Sequence, residues 1–69
     1  MTDYTIYRTV GNETNCFIES STTGKNALNR IVDRDLHLMK QLDIPVSVED
    51  ITDTQVIVNY GDTGVVYTL

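Results

Sequence analysis

TGKNALNRIVDRDLHLMKQL, residues Thr23–Leu42, is the one stretch of the chain with a clear helical period. At about 100° per residue, Ala27, Leu38, Ile31, Leu42, Leu28, Met39 and Val32 fall in one half of the helical wheel, with Leu36 at its edge. Asn26, Asn29, Arg30, Asp33, Arg34, His37, Lys40 and Gln41 fill the other half. The pattern predicts a helix with one buried stripe and one wet face. Hydroxyls in the run Ser20 to Thr23 can accept a free first-turn N–H. Asp43 and then Pro45 mark the end, because the residue before a proline is pushed out of the helical region.

Asp35 breaks this pattern. It falls at about 80° on the same wheel, in the middle of the apolar stripe. Its neighbours three and four residues away are Val32, Leu38, Ile31 and Met39, none of which can hydrogen-bond a carboxylate. A buried unpaired carboxylate must find a partner, change its pKa or stay wet. Three readings stand side by side. The helix breaks near Asp35, which then caps a second short helix; or Asp35 forms an internal ion pair, for which Arg8 is the best candidate; or the stripe faces a subunit interface or ligand site where Asp35 meets another group.

Working outward, Tyr4–Val10 is rich in β-branched and aromatic residues, the mark of a strand. Tyr4, Ile6, Arg8 and Val10 form its more apolar face, which points Arg8 at the helix. Gly11-Asn12 makes a two-residue hairpin turn, and Thr14–Ser20 is the return strand. That turn sets Phe17 opposite Ile6, towards the core, and leaves Cys16 and Ile18 outside with Tyr7. A three-residue loop would reverse the facing. Beyond the helix, Pro45–Thr54 is expected to form a short helical turn or loop. Ser47-Val48-Glu49-Asp50 has the spacing of a capping box with Asp in place of Glu/Gln, and Ile44, Val46 and Ile51 pack beneath. Gln55–Tyr60 and Val65–Leu69 make a second hairpin. Val56, Val58 and Tyr60 pair with Leu69, Tyr67 and Val65 towards the helix, leaving Ile57 and Val66 outside. The expected architecture is α+β, ββαββ: one four-stranded antiparallel sheet with a single long helix across one face, in a single domain over residues 1–69.

The 69 residues carry a net charge of −5, and its distribution is one-sided. Residues 1–40 hold five acids (Asp3, Glu13, Glu19, Asp33, Asp35) and five bases (Arg8, Lys25, Arg30, Arg34, Lys40). Residues 41–69 hold five acids (Asp43, Glu49, Asp50, Asp53, Asp62) and no base. Direct nucleic-acid binding needs a basic footprint, so it is not expected. A partner protein with a basic surface is. No stretch approaches the roughly 20 apolar residues that span a bilayer, so no membrane association is expected either. The N-terminal MTDYTIYRTV lacks the charge-then-apolar order of a secretory signal. A single cysteine, Cys16, suits a reducing cytoplasm.

No cofactor, metal or catalytic motif is found. Gly24-Lys25 lacks the glycine spacing and the following Ser/Thr of a phosphate loop, His37 lies on the wet helix face, and no base accompanies Cys16. A core this small is marginal, which points to a homodimer. The outer sheet residues Tyr7, Ile18, Ile57 and Val66 offer an apolar patch for a second copy or a partner. In size, acidity, lone cysteine and α+β layout, the chain resembles small accessory proteins of bacteriophages, of the anti-CRISPR and anti-restriction inhibitor type, some of which imitate nucleic acid. That resemblance implies residence in the cytoplasm of a host bacterium. The leading expectation is a non-enzymatic protein that inhibits or occupies a defence or nucleic-acid-handling protein through its acidic third. The alternative is a homo-oligomeric sponge that sequesters a nucleotide-like small molecule with Tyr7, Tyr60, Arg30 and Arg34.

Overall fold

A computed structural model describes residues 1–69. In chain order the elements are β1 (Thr2–Val10), β2 (Glu13–Ser21), α1 (Gly24–Gln41), β3 (Val46–Ile51), β4 (Gln55–Tyr60) and β5 (Thr63–Thr68). All strands join one antiparallel sheet in the order β2-β1-β5-β4-β3. The expected four-stranded ββαββ layout is therefore corrected to a five-stranded ββαβββ sheet. The added strand is β3, in the segment expected as a helical turn or loop.

β3 escapes notice for a physical reason. Its ladder with β4 shifts register between Val48 and Asp50, so Glu49 is the extra residue of a bulge. The bulge lets Val46, Val48 and Ile51 all share the helix side, opposite Tyr60, Val58 and Val56. An apolar spacing of two and then three hides the period of two that marks a strand.

The first hairpin turns on Gly11-Asn12, with Val10 opposite Glu13 and Ile6 opposite Phe17. The second turns on Gly61-Asp62, with Tyr60 opposite Thr63, Val58 opposite Val65 and Val56 opposite Tyr67. The facing is as expected, but the pairing slides by two residues from Leu69, Tyr67 and Val65, because the loop has two residues and not four. Both loops begin with a glycine at positive φ, 59° at Gly11 and 61° at Gly61, the glycine-first pattern of tight hairpins.

Helix α1 is continuous through Asp35, so there is no break there. Thr23 caps its start by accepting from the Asn26 N–H at 3.1 Å. At its end, the Asp43 N–H reaches the Lys40 carbonyl and the Ile44 N–H reaches the Met39 carbonyl. This doubly bonded closure needs a left-handed residue at Asp43, whose φ is 57°.

The apolar core is Ile6, Ala27, Leu28, Ile31, Val32, Val56, Val58, Tyr60, Val65 and Tyr67. It lies between α1 and the three middle strands β1, β5 and β4. The edge strands supply no fully buried apolar side chain. Val46 and Ile44 are partly covered, Val48 and Ile51 are exposed, and Phe17 points to the helix side yet stays 36% accessible. One helix is too narrow to roof five strands spaced about 4.8 Å apart.

Glycine adopts the conformation of Asp43 without steric cost. Asp43→Gly is accordingly expected to raise stability by about 0.5–1 kcal/mol, measured by urea unfolding with an unchanged slope.

Candidate functional site

Three features stand out from the scaffold: a polar chain within the core, an acidic margin and an open sheet face. The polar chain begins at Asp35, which the helix aims at the sheet. Arg8 on β1 and Tyr67 on β5 are register partners, and both meet Asp35. Arg8 Nε lies 3.2 Å from Asp35 Oδ2, with each side chain 24% exposed. The Tyr67 hydroxyl donates to the same Oδ2 at 2.7 Å. Tyr60 and Tyr67 hydroxyls lie 2.6 Å apart. A carboxylate only accepts, so the Tyr67 proton goes to Asp35 and Tyr60 donates to Tyr67. The Arg8 Nε–H is buried and out of line for a hydrogen bond, so its contact with Asp35 is ionic.

Burial pushes the Tyr67 hydroxyl well above the usual phenol range, and the hydrogen bonds with Tyr60 and Asp35 push it further. Burial also raises Tyr60, partly offset by its bond to Tyr67. No cavity opens beside this chain, and its geometry ties helix to sheet. Sequence reading missed Tyr67 as a partner of Asp35. The available signal was its place on the inner face of the last strand.

The five acids of the final third are spread over β3 and the loops at both ends of the sheet. Glu49 and Asp50 sit on edge strand β3, Asp53 in the loop after it, and Asp43 and Asp62 in the loops at the opposite end. All five are exposed. Glu49 is held by Asn59 Nδ2 at 2.7 Å and Ser47 Oγ at 3.3 Å. Asp53 meets Lys25 at 3.5 Å in a highly exposed pair of little energetic weight. The other four acids form no ion pair. On the far side of the sheet, Glu19 of β2 is flanked by Arg34 at 3.1 Å and Arg30 at 3.8 Å, a cluster that the sequence reading also missed. No group of three His, Cys, Asp or Glu side chains is placed to hold a metal.

Tyr7, Ile18, Ile57 and Val66 all lie on the sheet face away from α1, where no other element covers them. Val66 sits between Thr9 and Ile57, and Tyr7 between Cys16 and Thr68. Ile18 is 72% exposed near the middle of the β2 edge. The four residues suggested for a nucleotide-like ligand do not converge. Tyr60 is buried, and Tyr7 is on the opposite face from Arg30 and Arg34. No helix is long and apolar enough to cross a membrane.

Removing the Tyr67 hydroxyl strips a hydrogen bond from a charged group, so Tyr67→Phe is expected to cost about 1.5–3 kcal/mol in urea unfolding. Both tyrosines have folded-state pKa values above the ordinary 10.0, so the folded chain holds their protons more tightly than the unfolded chain. The contribution of the two tyrosines to stability should be fully present below pH 10 and be lost above it, by up to about 1.4 kcal/mol per pH unit for each tyrosine. Unfolding titrations through the alkaline range check this, with Tyr60→Phe/Tyr67→Phe flattening the fall.

Comparison with protein-family models, curated proteins and solved structures finds no match to this chain.

Proposed function

We propose that this chain is a non-enzymatic binding protein that occupies a basic surface on a partner protein, with the acidic margin along β3 as its recognition element. The observation that supports this reading is the segregation of charge. Glu49 and Asp50 lie on edge strand β3 and Asp53 in the loop after it, with Asp43 and Asp62 in loops at the other end of the sheet; of the bases only Lys25 pairs with one of these five, and Arg8, Arg30 and Arg34 are tied to acids elsewhere. Such a margin draws a basic partner by long-range attraction and sets orientation on contact. The open face with Tyr7, Ile18, Ile57 and Val66 then supplies apolar contact.

A basic surface on a defence or nucleic-acid-handling protein commonly serves nucleic acid. Carboxylates that cover it compete for the same cations, so occupation amounts to inhibition by nucleic-acid mimicry. Nucleic acid itself is repelled by the margin.

The test is capture of partners by the tagged chain at low and high salt, beside the charge-reversed variant Glu49→Lys/Asp50→Lys, with nucleic-acid binding of the captured protein as the second readout. The expected result is a partner that leaves as salt rises, binds the variant about tenfold or more weakly, and loses its nucleic acid to the unmodified chain. A partner held equally at high salt and by the variant would sink the reading.

A further inference from the structure

The two edges of the sheet are built differently. Strand edges expose unpaired N–H and C=O groups, and natural proteins blunt them with bulges, charges and proline. β3 has all three: the Glu49 bulge, the adjacent Asp50 and the preceding Pro45. β2 is nine residues long, pairs with β1 without interruption from Glu13 to Ser21, contains no proline or bulge, and carries its charges, Glu13 and Glu19, away from its middle. It also carries two apolar side chains that the fold leaves uncovered, Phe17 on the helix side and Ile18 on the open side, 36% and 72% exposed.

We infer that β2 is a self-pairing edge: a second copy of this chain adds antiparallel to it about a two-fold axis through Phe17, giving a continuous ten-stranded sheet with both helices on one side. The register follows from backbone geometry. The turn at Gly11-Asn12 makes Val10 and Glu13 a hydrogen-bonded pair, and such pairs alternate along the ladder. Glu13, Asn15, Phe17, Glu19 and Ser21 therefore spend their backbone groups on β1. Thr14, Cys16, Ile18 and Ser20 point theirs outward. The Ser20 carbonyl does so visibly, since Arg30 Nη1 reaches it at 3.1 Å; its second lone pair stays open.

Phe17 is the midpoint of β2, so an axis there pairs all nine residues. Cys16 meets Ile18 of the second copy through outward-pointing backbone groups, and Phe17 meets Phe17 of the second copy in the closer, non-hydrogen-bonded type of pair. Asn15 stands opposite Glu19, and no like charges face each other. Moving the axis to Cys16 puts Glu13 opposite Glu19, a repulsive pair. Moving it to Ile18 sets Phe17 against Glu19. The dimer covers both exposed apolar residues and places the two β3 margins at opposite ends of the joined sheet. This inference shares Ile18 with the acidic-margin reading, whose recognition element lies on the other edge.

The first test is sedimentation of the unmodified chain from about 1 μM to about 1 mM, with backbone amide exchange measured across the same series. The expected result is a concentration-dependent dimer in which the Cys16 and Ile18 amides become protected as it forms. The second is oxidative cross-linking. Phe17→Cys/Cys16→Ser places the two sulfurs across a directly opposed pair, within reach of a disulfide, and should give a covalent dimer. The unmodified chain should cross-link far more slowly, because its two Cys16 residues are diagonal neighbours about 7–8 Å apart. A monomer at every concentration overturns the proposal, as does a dimer whose Cys16 and Ile18 amides stay unprotected. Faster cross-linking through native Cys16 than through Phe17→Cys/Cys16→Ser overturns the register.

Discussion

The carboxylate of Asp35 is the interaction on which the rest of the structure depends. It sits in the middle of the stripe that α1 buries, where a charge is tolerated only with partners. Those partners come from two different strands, Arg8 on β1 and Tyr67 on β5, which are neighbours in register. One side chain of the helix therefore grips the seam between the N-terminal hairpin and the C-terminal strands. An apolar residue at position 35 would pack almost as well in several rotations of the helix, whereas a carboxylate has one place where its needs are met.

Much of this arrangement can be read from the sequence. The wheel of Thr23–Leu42 places the buried stripe, and alternation in Tyr4–Val10 turns Arg8 inward, which makes Arg8 the best candidate for an internal partner of Asp35 beside the readings of a helix break or an interface. Strand facing in Gln55–Tyr60 is equally legible, because Val56, Val58 and Tyr60 alternate cleanly with polar or outer residues. Legibility fails where backbone irregularity intervenes. At Glu49 the bulge changes the apolar spacing, and Ser47 and Asp50 supply a false helix-start signal. It also fails where geometry between strands matters. Nothing local in Tyr67 or Glu19 says that one will hold Asp35 and the other two arginines. The acids of the final third are plain in the sequence, but the place of Glu49 and Asp50 on a sheet edge follows only once β3 is known to be an edge strand.

The two sides of the molecule are thus unlike. Along β3 the backbone is interrupted, and the anionic Glu49 and Asp50 stand beside the exposed Val48 and Ile51; the two acids repel copies of themselves and suit a cationic counterpart. Along β2 the ladder is regular, its acids lie towards the ends, and its middle is apolar. The helix lies closer to β2 and β1 than to β3, and roofs neither edge fully. A chain of 69 residues with eleven buried has too little interior to cover both, and its means of recognition lie where cover runs out.

The place of β5 has a consequence for how the chain reaches this state. β5 lies at the centre of the sheet, between β1 and β4, although it comes last among the strands. Each hairpin can form from local contacts, but the core is not closed until Arg8 and Tyr67 come side by side, nearly the whole chain apart. Closing so long a loop costs entropy before the contacts that reward it exist. Until that pairing is made, β1 and β5 each carry a vacant flank.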